Sequence, residues 1–329
     1  GTCLTDGIAV AVVGDGTLGQ GVLYESLNIA VLQGAPVLLV VEDNEMAQTT
    51  PQEQNVAGSI TERFTAFGWR YFGASDDSLG PILDAVDSAI THVRQTRSPA
   101  VLHVKTRRLG PHSKGDDNRP KSLLKELWRT DYLHQQVATS SDVGETFQRM
   151  SEEVNEMFSS ILTEEPARDI PRFSYARDIM KSRPPLNIVE PASSLKIKHQ
   201  ITNSLDNALK SDHRTLFIGE DIEHLATGME NGYRGAFGVS DDLSLRYPGR
   251  VRNFPISEQG ITGFAIGRAL LDNPTIAEIM FGDFATLTID QLRQQASKMV
   301  GIYGQAINLP FLLRTPMGGR RGYGPTHSQ

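Results

Sequence analysis

The reading of this chain turns on Ile8-Ala9-Val10-Ala11-Val12-Val13-Gly14-Asp15-Gly16-Thr17-Leu18-Gly19. A β-favouring apolar run passes directly into glycines spaced G-x-G-x-x-G. Leu23, Leu27, Ala30 and Val31 then recur at helical spacing, and Gly34 offers a stop. Strand, glycine turn and helix in that order open a βαβ unit. Residues 36–41 and 100–104 predict two more strands. Neither alternates with polar residues, as expected of strands covered on both faces. Residues 1–105 therefore predict an α/β domain with a parallel sheet flanked by helices.

Outward from that unit the character changes. Residues 106–122 form a long polar loop, and loops of this length are more often functional or disordered than idle. Its Gly110, Pro111, Gly115 and Pro120 predict little regular hydrogen bonding and easy local opening. Residues 123–165 are charged and helical in pattern, and Pro166, Pro171, Pro184 and Pro185 then mark a linker. A second strand–helix series follows, with strands predicted at 215–219, 251–256, 276–281 and 309–314 and helices at 260–271 and 288–301. The resulting division is 1–122, a helical and proline-bearing linker at 123–194, and 195–329. The chain begins Gly1-Thr2-Cys3 without an initiator Met and stops in a glycine-rich stretch. The expectation is a piece of a longer polypeptide, its first domain incomplete at the N-terminus and its second at the C-terminus.

Composition bounds the function. The 329 residues are 39% hydrophobic and 22% charged, an ordinary globular balance. A net charge of −7 argues against a nucleic-acid partner and against electrostatic attachment to anionic membranes. Cys3 is the one cysteine, which excludes an internal disulfide framework and a multi-thiolate metal site. The longest apolar runs, such as 34–41, are too short to span a bilayer. With no signal peptide visible, a cytoplasmic setting is expected.

The glycine loop admits two ligand readings. Bare amides at a helix start, with Glu42-Asp43 ending the next strand, fit a nicotinamide dinucleotide and a Rossmann-type dehydrogenase. Asp15 weighs against this, because a carboxylate inside the loop repels a pyrophosphate unless a cation stands between them. A magnesium diphosphate removes the conflict. Asp15 and Asn44 each follow a parallel strand, so both reach the carboxyl edge of one sheet as hard oxygen ligands for Mg²⁺. The amides of Gly16 and Thr17 then face the diphosphate. The plainer alternative is a tight turn that binds nothing.

Gly14-Asp15-Gly16, followed by a helix, a strand and Glu42-Asp43-Asn44, resembles the thiamine diphosphate signature. Gly19-Gln20-Gly21 and Glu25-Ser26-Leu27-Asn28 are similar to the alpha subunit of 2-oxo-acid dehydrogenases. Phe217-Ile218-Gly219-Glu220-Asp221, 254–260, 282–291 and His327-Ser328-Gln329 resemble the beta subunit of the same enzymes. The resemblance implies two thiamine-diphosphate-binding-fold domains, alpha-like and beta-like, fused in one chain. Asp43 stands where that family usually has an Asn. The stretch 225–247 fits less well, with extra residues around 228–231.

The resemblance assigns roles. Asp15, Asn44 and the backbone carbonyl of Met46 are implied Mg²⁺ ligands, and Gly14, Gly16 and Thr17 the diphosphate cradle. Glu258 is the implied catalytic glutamate, sharing a proton with a pyrimidine ring nitrogen. Its neighbours Phe254, Pro255, Ile256 and Ile261 predict an apolar setting that raises a carboxyl pKa. The plainer reading is a carboxylate stabilised at a helix start. Phe284 is implied to pack on the pyrimidine, and Glu220 to join an acidic proton path. His327 is implied to stabilise developing charge and deliver protons, and His112 to orient the substrate or meet a lipoyl arm. Ser113 matches a position phosphorylated in mitochondrial relatives. The implied activity is oxidative decarboxylation of a 2-oxo acid by a homodimer, with acyl transfer to a lipoyl-bearing acyltransferase or another acyl carrier. The motif 109–113 with Asp116-Asp117 inclines toward branched-chain substrates. The competing functions are a noncatalytic family member serving as scaffold and a nicotinamide-dependent dehydrogenase.

Overall fold

Eight longer strands and their connecting helices account for the predicted α/β pattern in a computed structural model, which describes residues 7–113, 115, 117–164, 196–224, 233–303, 307–318, 322 and 324–327. The linker prolines, the 228–231 segment and Ser328-Gln329 lie outside the described residues. Chain contacts define two units. One holds 7–23 and 30–164 of the described residues, the other 24–29 and those from 196 onward.

In the first unit, β1 (Ala9–Gly14) leads through a short 3₁₀ turn, Asp15–Gly19, to α1 (Gly21–Leu32) and β2 (Val37–Asp43). A two-residue hairpin follows, β3 (Met46–Ala47) with β4 (Thr50–Pro51), then α2 (Ile60–Ala66), β5 (Arg70–Ser75), α3 (Leu79–Thr96) and β6 (Ala100–Lys105). The sheet order is β1-β2-β6-β5 and every pairing is parallel. Strand β6 is buried along Ala100–Val104, His103 included, as its largely apolar run requires. One core joins Leu38, Ala100 and Leu102 to Ala89 and Val93 of α3. Edge strand β1 leaves Val10 and Val12 exposed. Three further helices, α4 (Lys121–Thr130), α5 (Tyr132–Thr139) and α6 (Ser141–Thr163), carry no buried residue.

In the second unit, α7 (Ile197–Ser211) precedes β7 (Leu216–Gly219), followed by α8 (Leu243–Arg246), β8 (Val251–Asn253), α9 (Glu258–Ala269), β9 (Thr275–Glu278), α10 (Met299–Tyr303) and β10 (Phe311–Arg314). The order is β10-β9-β7-β8, again wholly parallel. Along β7, Leu216 and Ile218 enter one core while Phe217 enters the other, so both faces are covered. Residues 24–29 belong to this unit. Ile29 joins the first of these cores, and Glu25 Oε2 accepts the Gly260 N–H at 2.8 Å. A Cβ on Gly260 would stand 2.6 Å from Ile29 Cδ1, so a larger residue at 260 requires the Ile29 side chain to shift.

Several predicted elements are shorter than expected, with β9 ending at Glu278 rather than 281 and β10 beginning at Phe311 rather than 309. Strand β8 stops at Asn253 because Pro255 has no N–H for a ladder. The helix predicted at 288–301 is broken into a π turn, Gln291–Gln295, a 3₁₀ turn, Ala296–Lys298, and α10. No described helix is long and apolar enough to cross a membrane. In both units the candidate residues stand at the carboxyl ends of parallel strands, where open α/β sheets place their ligand crevices.

Candidate functional site

The strand–turn junction after β1 delivers Asp15 into the first unit's sheet edge, 3% exposed. Burial raises its carboxyl pKa, and the nearby Asp43 charge raises it further. The Gly16 N–H at 3.0 Å, the Gln52 amide at 3.5 Å and the Met46 N–H oppose that rise. One strand over, the Oδ1 of Asn44 is buried with no hydrogen-bond partner. A buried acceptor left without a donor is unfavourable by about 1–3 kcal/mol. A cation satisfies both residues at once, since it lowers the Asp15 pKa and occupies the Asn44 oxygen.

The remaining backbone fits the same ligand. A Cβ on Gly16 would stand 2.8 Å from Ala47 Cβ, so the turn lies close against β3. Gly14 opens onto free space, and Thr17 is half-buried. Among the described residues no group of three His, Cys, Asp or Glu is set for a metal. Asp15 and Asn44 differ in kind, offering one carboxylate and one amide oxygen, and Met46 meets Asp15 through its N–H. Mg²⁺ completes such a set with phosphate oxygens and water.

Several contributors carry no motif that sequence reasoning used. Gln52 Nε2 donates to Asp43 Oδ1 at 2.5 Å and thereby bridges Asp43 and Asp15. Asp43, 1% exposed, also meets His103 Nε2 at 2.7 Å, and His103 Nδ1 meets the Tyr71 hydroxyl at 2.6 Å. Arg108 donates to the Gln48 carbonyl at 2.8 Å and touches the Met46 sulfur at 3.3 Å, while its Nε is buried without a partner. Tyr71 and His103 sit on β5 and β6, Gln52 in the turn after β4 and Arg108 in the loop after β6. Only a fold-level view brings them to the glycine turn.

The polar loop is more tied than its glycines and prolines predict. Arg119 donates to the carbonyls of Arg108 at 2.7 Å and Gly110 at 2.9 Å, and it pairs with Asp117 at 2.8 Å. That pairing holds the Asp117 carboxyl down at about 2. His112 and Ser113 stand exposed within the span so closed.

The second unit gathers two pairs. Glu220, at the end of β7, is 5% exposed and its Oε1 has no partner. Burial, then the charges of Glu258 and Asp221, push its carboxyl up to about 7. Glu258 opens α9 and is partly buried. Phe284, in the 3₁₀ segment after β9, meets the His327 ring edge-on, 5.2 Å between centroids. Phe281 meets the same ring at 4.8 Å, and the Thr326 hydroxyl reaches His327 Nδ1 at 2.8 Å.

Comparison with known proteins adds the following. Residues 4–158 match the family model described as "Dehydrogenase E1 component", and residues 193–329 match "Transketolase, pyrimidine binding domain". The chain is 35% identical over 145 residues to 2-oxoisovalerate dehydrogenase subunit beta 2, mitochondrial, of Arabidopsis thaliana, covering 44% of this chain and 38% of that protein. It is 32% identical over 140 residues to the beta subunit of acetoin:2,6-dichlorophenolindophenol oxidoreductase of Cupriavidus necator, covering 42% and 41%. It is 30% identical over 139 residues to the pyruvate dehydrogenase E1 component subunit beta, mitochondrial, of Drosophila melanogaster, covering 42% and 36%. The chain thus spans about two fifths of the length of these curated relatives.

Proposed function

Because the chain belongs to the 2-oxo-acid dehydrogenase E1 family, with an alpha-like and a beta-like region in one polypeptide, we propose that it decarboxylates a 2-oxo acid using thiamine diphosphate and Mg²⁺. The acyl group then passes to a lipoyl-bearing acyltransferase or another acyl carrier. The observation that carries the reading is the buried, unpartnered Asn44 Oδ1 beside the buried Asp15. That pair is unfavourable without a cation and suited to one.

Thiamine diphosphate supplies the electron sink for loss of carbon dioxide from a 2-oxo acid. The protein's residues do the rest. Asp15, Asn44 and the Met46 carbonyl would hold the metal, and the Gly16 and Thr17 amides would bind the diphosphate. Glu258 holds the proton shared with the pyrimidine, and Glu220 holds a second one near neutrality. Phe281 and Phe284 orient His327 to donate toward developing charge. The exposed His112 stands available to substrate or an incoming acyl carrier. A cytoplasmic homodimer completes the proposal. The motif 109–113 with Asp116-Asp117 directs it toward branched-chain 2-oxo acids.

Titration of the full polypeptide with thiamine diphosphate, with and without Mg²⁺, and with NAD in parallel, tests the binding step. Mg²⁺-dependent binding of thiamine diphosphate alone is expected. Binding of NAD, or indifference to Mg²⁺, sinks the reading. A panel of 2-oxo acids with an artificial electron acceptor then ranks substrates, with branched-chain acids expected first. Turnover of none of them turns the assignment to a noncatalytic scaffold.

A further inference from the structure

The loop that carries Asn44 and Met46 is held by more than its own backbone pairing. Glu45 and Gln48 both have left-handed φ, 62° and 52°, although neither is glycine. Such conformations are unfavourable by about 1 kcal/mol or more each and persist where surrounding contacts impose them. At Glu45 the imposing group is the Asp43 carboxylate, while the Gln48 carbonyl is held by Arg108. Asp43 Oδ1 accepts the Glu45 N–H at 3.0 Å and the Gln52 amide at 2.5 Å. The Gln52 N–H in turn donates to the Glu45 carbonyl at 3.0 Å.

The second oxygen of Asp43 faces inward. Asp43 pairs with Lys105 and Val41 pairs with His103 across β2 and β6, so Asp43 and His103 are diagonal neighbours on one face. His103 is 5% exposed, and its Nε2 lies 2.7 Å from Asp43 Oδ2. A carboxylate only accepts, so Nε2 carries the proton. The Tyr71 hydroxyl meets the other ring nitrogen, Nδ1, 2.6 Å away. Tyr71 thus fixes the ring, the ring fixes the carboxylate, and the carboxylate fixes the turn that aims Asn44.

We propose that His103, locked by Tyr71, is a positioning residue for the Mg²⁺ loop, acting through the Asp43 carboxylate on the aim of Asn44 Oδ1. The proposal rests on the Mg²⁺ reading above. It also accounts for the acidic residue at 43, where the resembled family usually has an amide: a buried imidazole donor stands opposite it.

The test measures Mn²⁺ binding by electron paramagnetic resonance in the presence of thiamine diphosphate, without turnover. Asp15→Ala serves as the control for the metal reading. His103→Leu removes the donor, and His103→Gln restores an amide N–H in its place. Outer-shell partners of a metal site are commonly worth 10–100-fold in affinity. His103→Leu is therefore expected to lose about tenfold or more, with His103→Gln recovering to within about threefold of the parent. A folded His103→Leu with parental affinity, beside a defective Asp15→Ala, overturns the positioning role and leaves the metal reading intact. An undamaged Asp15→Ala overturns both. Should His103→Leu fail to fold, Tyr71→Phe decides, since it removes only a hydroxyl: a weakened affinity supports the proposal and an unchanged one ends it. Nitrogen NMR of the parent supplies an independent readout, with the Nε2–H tautomer expected for His103 and the Nδ1–H tautomer contradicting the chain of donors.

Discussion

The ring of His327 stands edge-on to the ring of Phe284, with 5.2 Å between their centroids and 78° between their planes. The family resemblance implies separate duties for these residues, and the second unit makes them one assembly. Phe281 meets the same ring at 88° and also meets Phe284, 5.7 Å away, so the three rings form one cluster. Edge-on pairs contribute about 0.5–1.5 kcal/mol each beyond the area they bury. Phe284→Leu keeps most of the volume and removes the ring. Its decarboxylation rate should fall about tenfold, the scale of one such contact, with the melting temperature little changed. A rate equal to the parent's would mean that His327 is held by Phe281 and Thr326 alone.

Glu220 sets a pH dependence of stability. Its folded pKa, about 7, lies above the ordinary carboxyl value of 4.5. A carboxyl raised in the folded state keeps its proton there longer than in the unfolded chain. Stability is therefore greatest below about pH 4.5 for this group, declines as pH rises to about 7, and is level above that. The penalty above pH 7 is at most on the order of 3 kcal/mol. Glu220→Gln removes the titration, so the variant should gain stability over the parent at pH 8 and gain little at pH 5. Equal gains at both pH values, in paired denaturant titrations, would refute the assignment.

The parallel sheets were legible because their strands are largely apolar runs. Ala100–Val104 and Leu216–Ile218 have no other use for such patterning. Strand β5 escaped because Arg70, Gly73 and Ser75 interrupt its run, and it is only half-buried. Helix α3 buries Ala89 and Val93 through a narrow stripe amid charged residues, a weaker signal than an apolar strand. At the site, Asp15, Asn44 and Glu258 were visible through motif spacing. Gln52, Tyr71 and His103 were not, because their meaning depends on which strands become neighbours. Arg119 likewise reads as one more surface charge until the loop folds back on it. The carboxyl driven to about 7 is Glu220, set by burial depth, which spacing alone does not reveal.

Glu258→Gln separates binding from proton transfer. Its amide preserves shape but trades no proton. Thiamine diphosphate should bind within about tenfold of the parent, a change of about 1.4 kcal/mol. Decarboxylation should drop about 10²-fold or more. Solvent-deuterium exchange at the thiazolium carbon isolates the step. Unaltered exchange would reassign Glu258 to a helix-start carboxylate and move the search to Glu220.

The last prediction concerns the fit of the glycine turn against the hairpin. A Cβ on Gly16 would lie 2.8 Å from the Ala47 Cβ, closer than real Cβ atoms approach. Gly16 is not among the positive-φ glycines, so alanine meets no backbone strain there. The clash alone is the obstacle, and overpacking of this kind is unfavourable by about 1–3 kcal/mol. Relief requires β3 to move away from the turn, which carries Met46 away from Asp15. Gly16→Ala should therefore weaken Mg²⁺-dependent retention of thiamine diphosphate by about tenfold, the equivalent of 1.4 kcal/mol. Ala47→Gly removes the opposing methyl. In the double variant the contact is exchanged rather than crowded, so retention should return to within about threefold of the parent. Calorimetric titration of the single and double variants measures both. A double variant as weak as Gly16→Ala would show that the loss comes from covering the diphosphate amides rather than from displacing the hairpin.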